Sequence, residues 1–333
     1  MIEKYNENDK KKSSEKYKSL EDKNYKSNSI TKTVVRNKNK SKGNSSIKLI
    51  FSTIGFYILL IIIGILCVFP IFWTYIIAIK QDLFTGDLGA PIPDQIPDYW
   101  FSLLPENWFN FSNFIYVIKQ TNFVQYLLNS LAVSIGTTLI GLCVSITAAY
   151  SFSRFKFRWK GFLLDSILVT QMFPNILIII PIFLVWSQLG LLNSIPGLIL
   201  VYISLAIPFC TWMMKGYFDA IPKDLEEAGM VLGLSRVQAF YKIVIPAVRP
   251  GIIATALYTF ITAYNEYMVA LTFNVLPESQ TLPVAINQFF PPYEIPKYTY
   301  LAAFGLLVSI PVVIIFFILQ KHLEKGILSG AIK

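Results

Sequence analysis

Six long apolar runs dominate the sequence and restrict the chain to a membrane-spanning fold. They cover residues 49–79, 124–150, 162–186, 195–214, 251–273 and 299–320. Each is longer than the roughly 18 residues that mark a transmembrane helix. Only 15% of all residues are charged, whereas soluble chains carry about 25%. The sequence therefore predicts an all-α integral membrane protein with six transmembrane helices.

The charges between the runs predict the orientation. With the N-terminus inside, the cytoplasmic pieces hold 26 of the 29 Lys and Arg residues and the exterior pieces hold 3. Because positive residues are enriched on the cytoplasmic side of a membrane, both the N- and C-termini are predicted to be cytoplasmic. The domain organisation that follows is a tail over residues 1–48 and a six-span domain over residues 49–333.

The tail carries most of the net charge. It holds 14 Lys and Arg against 6 Asp and Glu, is rich in Lys, Asn and Ser, and has no hydrophobic periodicity. Such a composition predicts a disordered segment. Because the tail abuts a membrane span, contact with anionic membrane lipid is favoured over nucleic-acid binding.

Several chemistries are excluded by residue types. The chain has a single histidine, His322, and its three cysteines (Cys67, Cys143 and Cys210) all lie in apolar runs, so no disulfide framework is indicated. The dipeptide Gly-Lys is absent, which excludes a phosphate-binding P-loop of the GxxxxGK[ST] kind. If the protein works by ATP, another chain must bind it.

Two of the three predicted exterior loops have a distinctive composition. Residues 80–123 form a long loop that is acidic by five to two and carries Trp100 and Trp108, which suit either the membrane interface or a partner surface. Residues 274–298 contain five prolines, which favour an ordered, extended loop. These prolines are Pro277, Pro283, Pro291, Pro292 and Pro296.

Small and proline residues within the spans predict packing and kinks. Small or hydroxylated side chains recur at near-helical spacing in the second run, which indicates a face that packs against protein. They are Ser130, Ser134, Thr138, Gly141, Ser145 and Ala149. Prolines at 174, 181, 196 and 208 are interpreted as kinks around a central pathway, with simple packing irregularities as the open alternative.

The cytoplasmic loop over residues 215–250 predicts two short helices joined by a glycine corner. Pro222 suits a first helical turn, and the helix can run to about Leu232, where Gly233 is a left-handed stop. Ser235 and Gln238 then form a capping box for a second helix, which a proline limits. A rigid protrusion of this kind suits docking onto a cytoplasmic partner.

The same loop carries a family resemblance. Its residues resemble the EAA motif of the membrane subunits of binding-protein-dependent ABC importers, which reads Glu-Ala-Ala, three residues, Gly, nine residues, Ile-x-Leu-Pro. The matching residues are Glu227, Ala228, Gly229, Gly233, Ile243, Ile245 and Pro246. Gly229 replaces the second Ala and Ile245 replaces Leu, while Leu232 stands where an Asp is frequent.

Further stretches are similar to sugar permeases of this type. Residues 263–267 resemble a Trp-Asn-Glu-Phe stretch, residues 281–284 resemble the following exterior loop, and the chain end resembles a Gly-Ala-Val-Lys ending. Residues 171–174 are similar to the maltose/maltodextrin importer's second permease subunit. The resemblance implies a type I ABC importer permease fold and a multi-pass protein of the bacterial cell membrane.

The resemblance also implies function and partners. It implies a sugar importer subunit, of the maltose/maltodextrin or a related oligosaccharide type, that is not an enzyme and binds no cofactor. ATP and Mg would bind to two partner ATPase subunits, on which the EAA helix docks. A second permease subunit completes the translocation path, and an extracytoplasmic sugar-binding protein delivers the substrate.

Two further sets of candidate residues follow from this reading. Asn265, Glu266 and Gln171 are candidates for the translocation path or gate, because an ionisable group inside a span is costly and usually faces protein or water. A structural hydrogen bond of Glu266 to a neighbouring helix is the open alternative. The polar residues of the loop 274–298 that would contact the binding protein are Gln280, Asn287 and Gln288.

The sequence is also compatible with other functions. An ion-coupled secondary transporter could have six spans and would use Glu266, the only acidic residue clearly inside a run, as its coupling group. An intramembrane enzyme is disfavoured by the lack of paired carboxylates or a metal cluster in the runs. An ABC permease for another disaccharide or for glycerol phosphate is also compatible with the sequence.

Overall fold

The computed structural model describes residues 53–80, 108–290 and 298–330. These residues are helical or irregular, and no strand occurs within the described ranges. The predicted tail 1–48 and the loop prolines Pro291, Pro292 and Pro296 lie outside them, as does Trp100. The chain divides into two units, Met1–Phe72 and Trp73–Lys333. In the first unit, residues 53–72 are helical and expose their apolar side chains, as a lipid-facing helix does.

Twelve helices follow one another along the described ranges of the chain. They are α1 Thr53–Ile79, α2 Ser112–Gln120, α3 Phe123–Arg154, α4 Lys160–Met172, α5 Asn175–Leu189, α6 Ile195–Asp219, α7 Lys223–Val231, α8 Arg236–Ala247, α9 Arg249–Tyr264, α10 Met268–Phe273, α11 Leu282–Ala285 and α12 Tyr298–Gly330. Helix α8 includes one π-helical turn, Phe240–Val244. Two 3₁₀ turns, Pro277–Ser279 and Ile286–Phe289, flank α11.

Four of these helices are each long and apolar enough to cross a membrane. They are α1, α3, α6 and α12. Two bent pairs pass the same test, α4 with α5 at 99° and α8 with α9 at 72°, which brings the number of candidate spans in the described ranges to as many as six. The all-helical, multi-span fold class predicted from the sequence is confirmed.

The third predicted span, 162–186, is broken rather than continuous. Helix α4 ends at Met172, and Phe173 is extended with ψ 133°, because a proline disfavours the helical conformation of the residue before it. Pro181 and Pro208 lie inside α5 and α6. Pro196 does not kink a helix, since it occupies the first turn of α6, where its missing N–H costs nothing.

The fifth predicted span, 251–273, is also interrupted. Helix α9 ends at Tyr264 with Asn265 as its C-cap, and the shorter helix α10 begins at Met268. Glu266 lies in this interruption and bonds the first N–H groups of α10. The break was not predicted, because the apolar pattern runs across it without a proline or glycine.

Helices α3 and α6 form the most extensive contact of the second unit. The small residues predicted as the packing face of the second run are buried at five of their six positions, with Thr138 half-buried. Gly136 also lies in this contact, since a Cβ there would stand 2.8 Å from Ile199 Cδ1. Small side chains therefore let the two backbones approach closely, as predicted.

The loop that follows α10 is compact, which contradicts the predicted extended conformation. Leu282 and Phe289 are buried within it. Asn129 of α3 donates hydrogen bonds of 2.8 Å to the carbonyls of Glu278 and Gln280. The described part of the loop, residues 274–290, has enough apolar side chains to form packed turns, and Pro277 and Pro283 begin short helical turns rather than keeping the chain extended.

Candidate functional site

Helices α7 and α8 form a hairpin around a glycine corner. Helix α7 ends at Val231 with Leu232 as its C-cap, and Gly233 follows with φ +93°, which confirms the predicted left-handed stop. The capping box is also present, since Ser235 N donates to Gln238 Oε1 at 3.0 Å and Gln238 N to Ser235 Oγ at 3.3 Å. Pro222 differs from the prediction, because it is the N-cap rather than a first-turn residue.

A buried carboxylate attaches the hairpin to the end of α3. Glu226 is 6% exposed. It accepts a hydrogen bond of 2.5 Å from the Tyr150 hydroxyl and one of 3.2 Å from Arg154 Nε, with which it forms an ion pair. Arg154 also donates to the Ile221 carbonyl at 3.2 Å. Separating Glu226 from Arg154 would leave each charge buried without its partner, which is costly. The pair therefore holds the hairpin in one position against α3.

Aromatic packing reinforces the same junction. The ring of Tyr150 lies 4.6 Å from that of Phe240 in α8 and 5.8 Å from that of Phe218 in α6. The guanidinium of Arg236 lies 5.2 Å from the ring of Phe155, within the range of a cation–π interaction. Both helices of the hairpin are therefore held against the ends of α3 and α6.

A close contact joins the two helices of the hairpin. A Cβ atom at Gly229 would stand 2.3 Å from Ile243 Cδ1. Gly229, which replaces the second alanine of the EAA pattern, therefore leaves room for the side chain of Ile243, which belongs to the same motif. These two motif residues contact each other within the chain, which the sequence spacing alone did not reveal.

The remaining motif residues lie at the surface. Glu227 and Ala228 are exposed, as is Pro246, whereas Ile245 is half-buried. At the corner of the hairpin Val231 is 87% exposed and Leu232 is 86% exposed. The tip of the hairpin thus presents two large apolar side chains, with the Glu227 carboxylate one turn earlier on α7.

Glu266 is engaged in three hydrogen bonds within the chain. Its carboxylate accepts from the Tyr202 hydroxyl at 2.7 Å, from Val269 N at 2.9 Å and from Ala270 N at 3.1 Å. Bonds to the N–H groups of the first turn satisfy donors that an α-helix leaves unpaired. Of the alternatives that the sequence left open, this geometry supports the structural hydrogen bond.

Glu266 also lines a cavity of about 270 Å³. Two of the three residues predicted for the translocation path or gate, Gln171 and Glu266, line this cavity, whereas Asn265 is exposed and does not. The sequence did not single out its other notable members, Thr137, Phe209 and Tyr258. In the sequence, these three residues cannot be distinguished from the other hydroxyl-bearing and aromatic residues that pack within apolar helices.

The three loop residues predicted to contact the sugar-binding protein differ in exposure and in their hydrogen bonds within the chain. The Gln280 amide donates to the Val275 carbonyl at 2.9 Å and so stabilises the loop itself. Asn287 is exposed and bonds the Tyr267 hydroxyl. Gln288 is exposed on the 3₁₀ turn, next to the buried Phe289.

Comparison with known proteins agrees with this arrangement. Residues 141–329 match the family model described as "Binding-protein-dependent transport system inner membrane component". The chain is 34% identical over 291 residues to the galactooligosaccharides transport system permease protein GanQ of Bacillus subtilis, covering 86% of this chain and 96% of that protein. It is 32% identical over 276 residues to the trehalose/maltose transport system permease protein MalG of Thermococcus litoralis, covering 82% and 94%.

The fold has a counterpart among solved structures. A bacterial ABC transporter involved in the import of the acidic polysaccharide alginate contains a chain that superposes with a TM-score of 0.65 at 21% identity, covering 82% of this chain and 96% of that one. The likeness supports the importer permease fold predicted from the sequence. The chain therefore belongs to the family of binding-protein-dependent transport system inner membrane components, as a multi-pass, non-enzymatic permease of the sugar ABC importer type.

Proposed function

We propose that this chain is one of two different permease subunits in an ATP-driven importer of a neutral oligosaccharide, maltose/maltodextrin or a related one. The two permeases together form the translocation path. ATP and Mg bind to two ATPase subunits, and this chain binds no cofactor itself. A sugar-binding protein outside the membrane delivers the substrate.

The hairpin α7–α8 is the observation that carries this proposal. Its tip exposes Val231 and Leu232, and one side of α7 exposes Glu227. The buried Glu226–Arg154 pair holds another side of α7 against the end of α3. An exposed apolar tip on a rigid base suits insertion into a groove of a partner protein. We infer that the partner is the ATPase subunit and that a shift of the hairpin moves the ends of α3 and α6.

The proposed sugar rests on three observations. The relatives carry names for different oligosaccharides, among them trehalose/maltose and galactooligosaccharides. The cavity beside Glu266 has aromatic rings and uncharged polar groups on its wall, which suits a neutral sugar. Maltodextrin is the preferred candidate because residues 171–174 resemble the maltose-type permease.

The proposed orientation places both termini and the hairpin in the cytoplasm. The basic residues flanking the spans support this arrangement, and the tail 1–48 would then meet the anionic inner leaflet. It also puts the loop after α10 on the opposite side. Asn287 and Gln288 are the exposed polar residues there, and we infer that they contact the sugar-binding protein.

A reconstituted transport assay tests the function. Liposomes containing the full importer should take up maltotriose only when ATP is enclosed on the hairpin side and the binding protein is outside. An ATPase subunit with its P-loop lysine replaced serves as the matched control. Uptake that follows a proton or sodium gradient without ATP would instead support an ion-coupled transporter.

Site-directed labelling tests the orientation. Leu232→Cys, in a chain expressed without the ATPase subunits and with Cys67 and Cys143 replaced by Ser, should react with a membrane-impermeable maleimide in inside-out vesicles and not in intact cells. Gln288→Cys should show the reverse. Equal labelling of both positions from one side would contradict the proposed topology.

A further inference from the structure

The turn between α3 and α4 alternates aromatic and basic side chains. Residues 155–160, named here the basic turn, read Phe-Lys-Phe-Arg-Trp-Lys, and all are exposed except the half-buried Lys160. The ring of Trp159 is 62% exposed, and the guanidinium of Arg158 lies 5.8 Å from its centre. Because clustered exposed apolar groups mark interaction sites, the composition of this turn indicates a contact with something other than water.

The basic turn lies at the level of the membrane surface. The apolar run of α3 ends at Tyr150 and that of α4 begins at Phe162. Helix α3 continues from Tyr150 to Arg154, a rise of about 6 Å, which matches the roughly 5–8 Å thickness of one headgroup region. The guanidinium of Arg236 lies 5.2 Å from the ring of Phe155, so the turn is on the same side of the membrane as the hairpin.

The cations of the basic turn form no ion pair or side-chain hydrogen bond within the described ranges. They are Lys156, Arg158 and Lys160. The carboxylates nearby have other partners, since Glu226 bonds Arg154 and Asp219 bonds Lys215. Asp165 on α4 is exposed and bonds none of the three. The turn therefore presents positive charge that the chain itself does not neutralise.

An anionic phospholipid matches both the charge and the rings. Lys and Arg side chains donate charge-assisted hydrogen bonds to phosphate oxygens, and aromatic rings favour the headgroup level of a membrane. The next residues on α4, Phe162 and Leu163, are 65% and 42% exposed, so the apolar surface that acyl chains require continues from the turn. A free phosphate would bond the cations but leave these apolar side chains in water.

We propose that the basic turn is a binding site for the headgroup of an anionic phospholipid. Lys156, Arg158 and Lys160 surround the phosphate, and the ring of Trp159 lies at the boundary with the acyl chains. In the proposed orientation this lipid belongs to the cytoplasmic leaflet. Arg154, which bonds Glu226 of the hairpin, directly precedes the turn, so a bound lipid would restrain the chain beside that ion pair.

Photocrosslinking with mapped products tests the site in the complete importer. The complex is placed in nanodiscs of phosphatidylcholine that contain a small fraction of phosphatidylglycerol with a photoreactive acyl chain. Labelling of residues 155–163 should exceed that by phosphatidylcholine carrying the same group. Lys156→Gln with Arg158→Gln should lower it about 25-fold at sub-saturating lipid, since each cation at a membrane surface contributes about fivefold in affinity.

Two matched variants control for net charge and for folding. Lys223→Gln with Lys242→Gln removes two exposed cations of the hairpin and should leave labelling of the basic turn unchanged. Lys156→Arg with Arg158→Lys exchanges the two cations and should retain it. Phosphatidylglycerol should raise the Tm of the wild-type complex more than that of the Gln pair in the turn, with equal Tm values in phosphatidylcholine alone.

The outcomes distinguish a lipid site from the alternatives. Equal labelling of the wild-type turn by the two lipids would overturn the proposal, as would the same loss in the hairpin control. A Gln pair in the turn that keeps its labelling but no longer co-purifies with the ATPase subunits would show a protein contact instead. Labelling lost only in that pair and retained in the exchanged pair supports the site. These readouts involve no sugar and no ATP, so they are independent of the proposed transport function.

Discussion

The Tyr150 hydroxyl donates a hydrogen bond of 2.5 Å to the Glu226 carboxylate, between residues that are 76 positions apart in the chain. Together with the Arg154 ion pair, it joins the first helix of the hairpin to the last turns of a spanning helix. The motif match drew attention to Glu227, which is exposed. The carboxylate that holds the hairpin in place belongs to the preceding residue, Glu226.

Glu226→Ala should destabilise the hairpin. The change leaves the Arg154 guanidinium buried without its counter-charge, which costs about 3–5 kcal/mol in comparable sites. We expect a lower Tm of the purified complex and faster proteolysis between residues 220 and 235. Glu227→Ala, at an exposed position on the same helix, is the control for stability. Equal Tm values for the two variants would contradict a stabilising role of the buried pair.

Gly233→Val should disturb the corner of the hairpin. A β-branched residue is strained at φ +93°, by about 1–3 kcal/mol, although no neighbouring atom would clash with its Cβ. Membrane insertion should be normal while co-purification of the ATPase and uptake-linked hydrolysis decrease. Gly233→Asn should be milder, because Asn tolerates a left-handed backbone. A Val variant indistinguishable from the Asn variant would argue against strain at this corner.

Gly229→Ala should be rescued by a second substitution. The new methyl group would overlap Ile243 Cδ1, so the side chain must shift or the two helices must separate, at a cost of about 1–3 kcal/mol. Ile243→Val removes that atom, and the double variant should regain most of the lost Tm. A double-mutant cycle measures this coupling. Additive effects would show that the two residues do not compete for the same space.

Glu266→Gln should loosen α10. A glutamine has one acceptor oxygen, while the two carboxylate oxygens accept from Tyr202, Val269 and Ala270. One donor therefore loses its partner, at about 1–3 kcal/mol. Amide hydrogen exchange of residues 266–273 should accelerate, and Tyr202→Phe should have a smaller effect. Loss of transport with unchanged exchange would indicate instead that the charge itself is needed for gating.

Gln288→Ala should reduce delivery by the sugar-binding protein without changing basal ATP hydrolysis. Gln288 is exposed, whereas the adjacent Phe289 is 2% exposed and packs 5.2 Å from the ring of Phe304. Deleting residues around Gln288 would remove this packing, so a single substitution is the sharper experiment. Phe289→Ala should lower the Tm by the loss of a buried ring. Unchanged uptake with Gln288→Ala would favour a plain connecting loop.

Features that depend on local sequence were predictable. The glycine corner and the Ser235–Gln238 capping box follow from residues close together in the chain, and both are present. The break before Pro174 was also predictable, because a proline disfavours the helical conformation of the residue before it. The size of the bend was not predictable from the sequence. The small-residue face of α3 was predictable from helical periodicity.

Features that depend on distant partners were not predictable. The burial of Glu226 comes from Tyr150 and Arg154, more than 70 residues away. A weak signal existed, because Glu226 and Gly229 are three residues apart and so share one helix face. The interruption at Glu266 and the cavity beside it arise from packing among several helices, and a single apolar pattern carries no record of that packing.

One helix carries both attachments. Near the start of α3, Asn129 bonds two carbonyls of the loop after α10, and Ser130 Oγ accepts the Leu282 N–H at 2.8 Å. At its other end Tyr150 and Arg154 bond Glu226. An α-helix rises about 1.5 Å per residue, so the two sets of attachment points lie about 30–38 Å apart along one continuous helix. Because both attachments belong to one continuous helix, a displacement of the hairpin end along the helix axis would also displace the loop end.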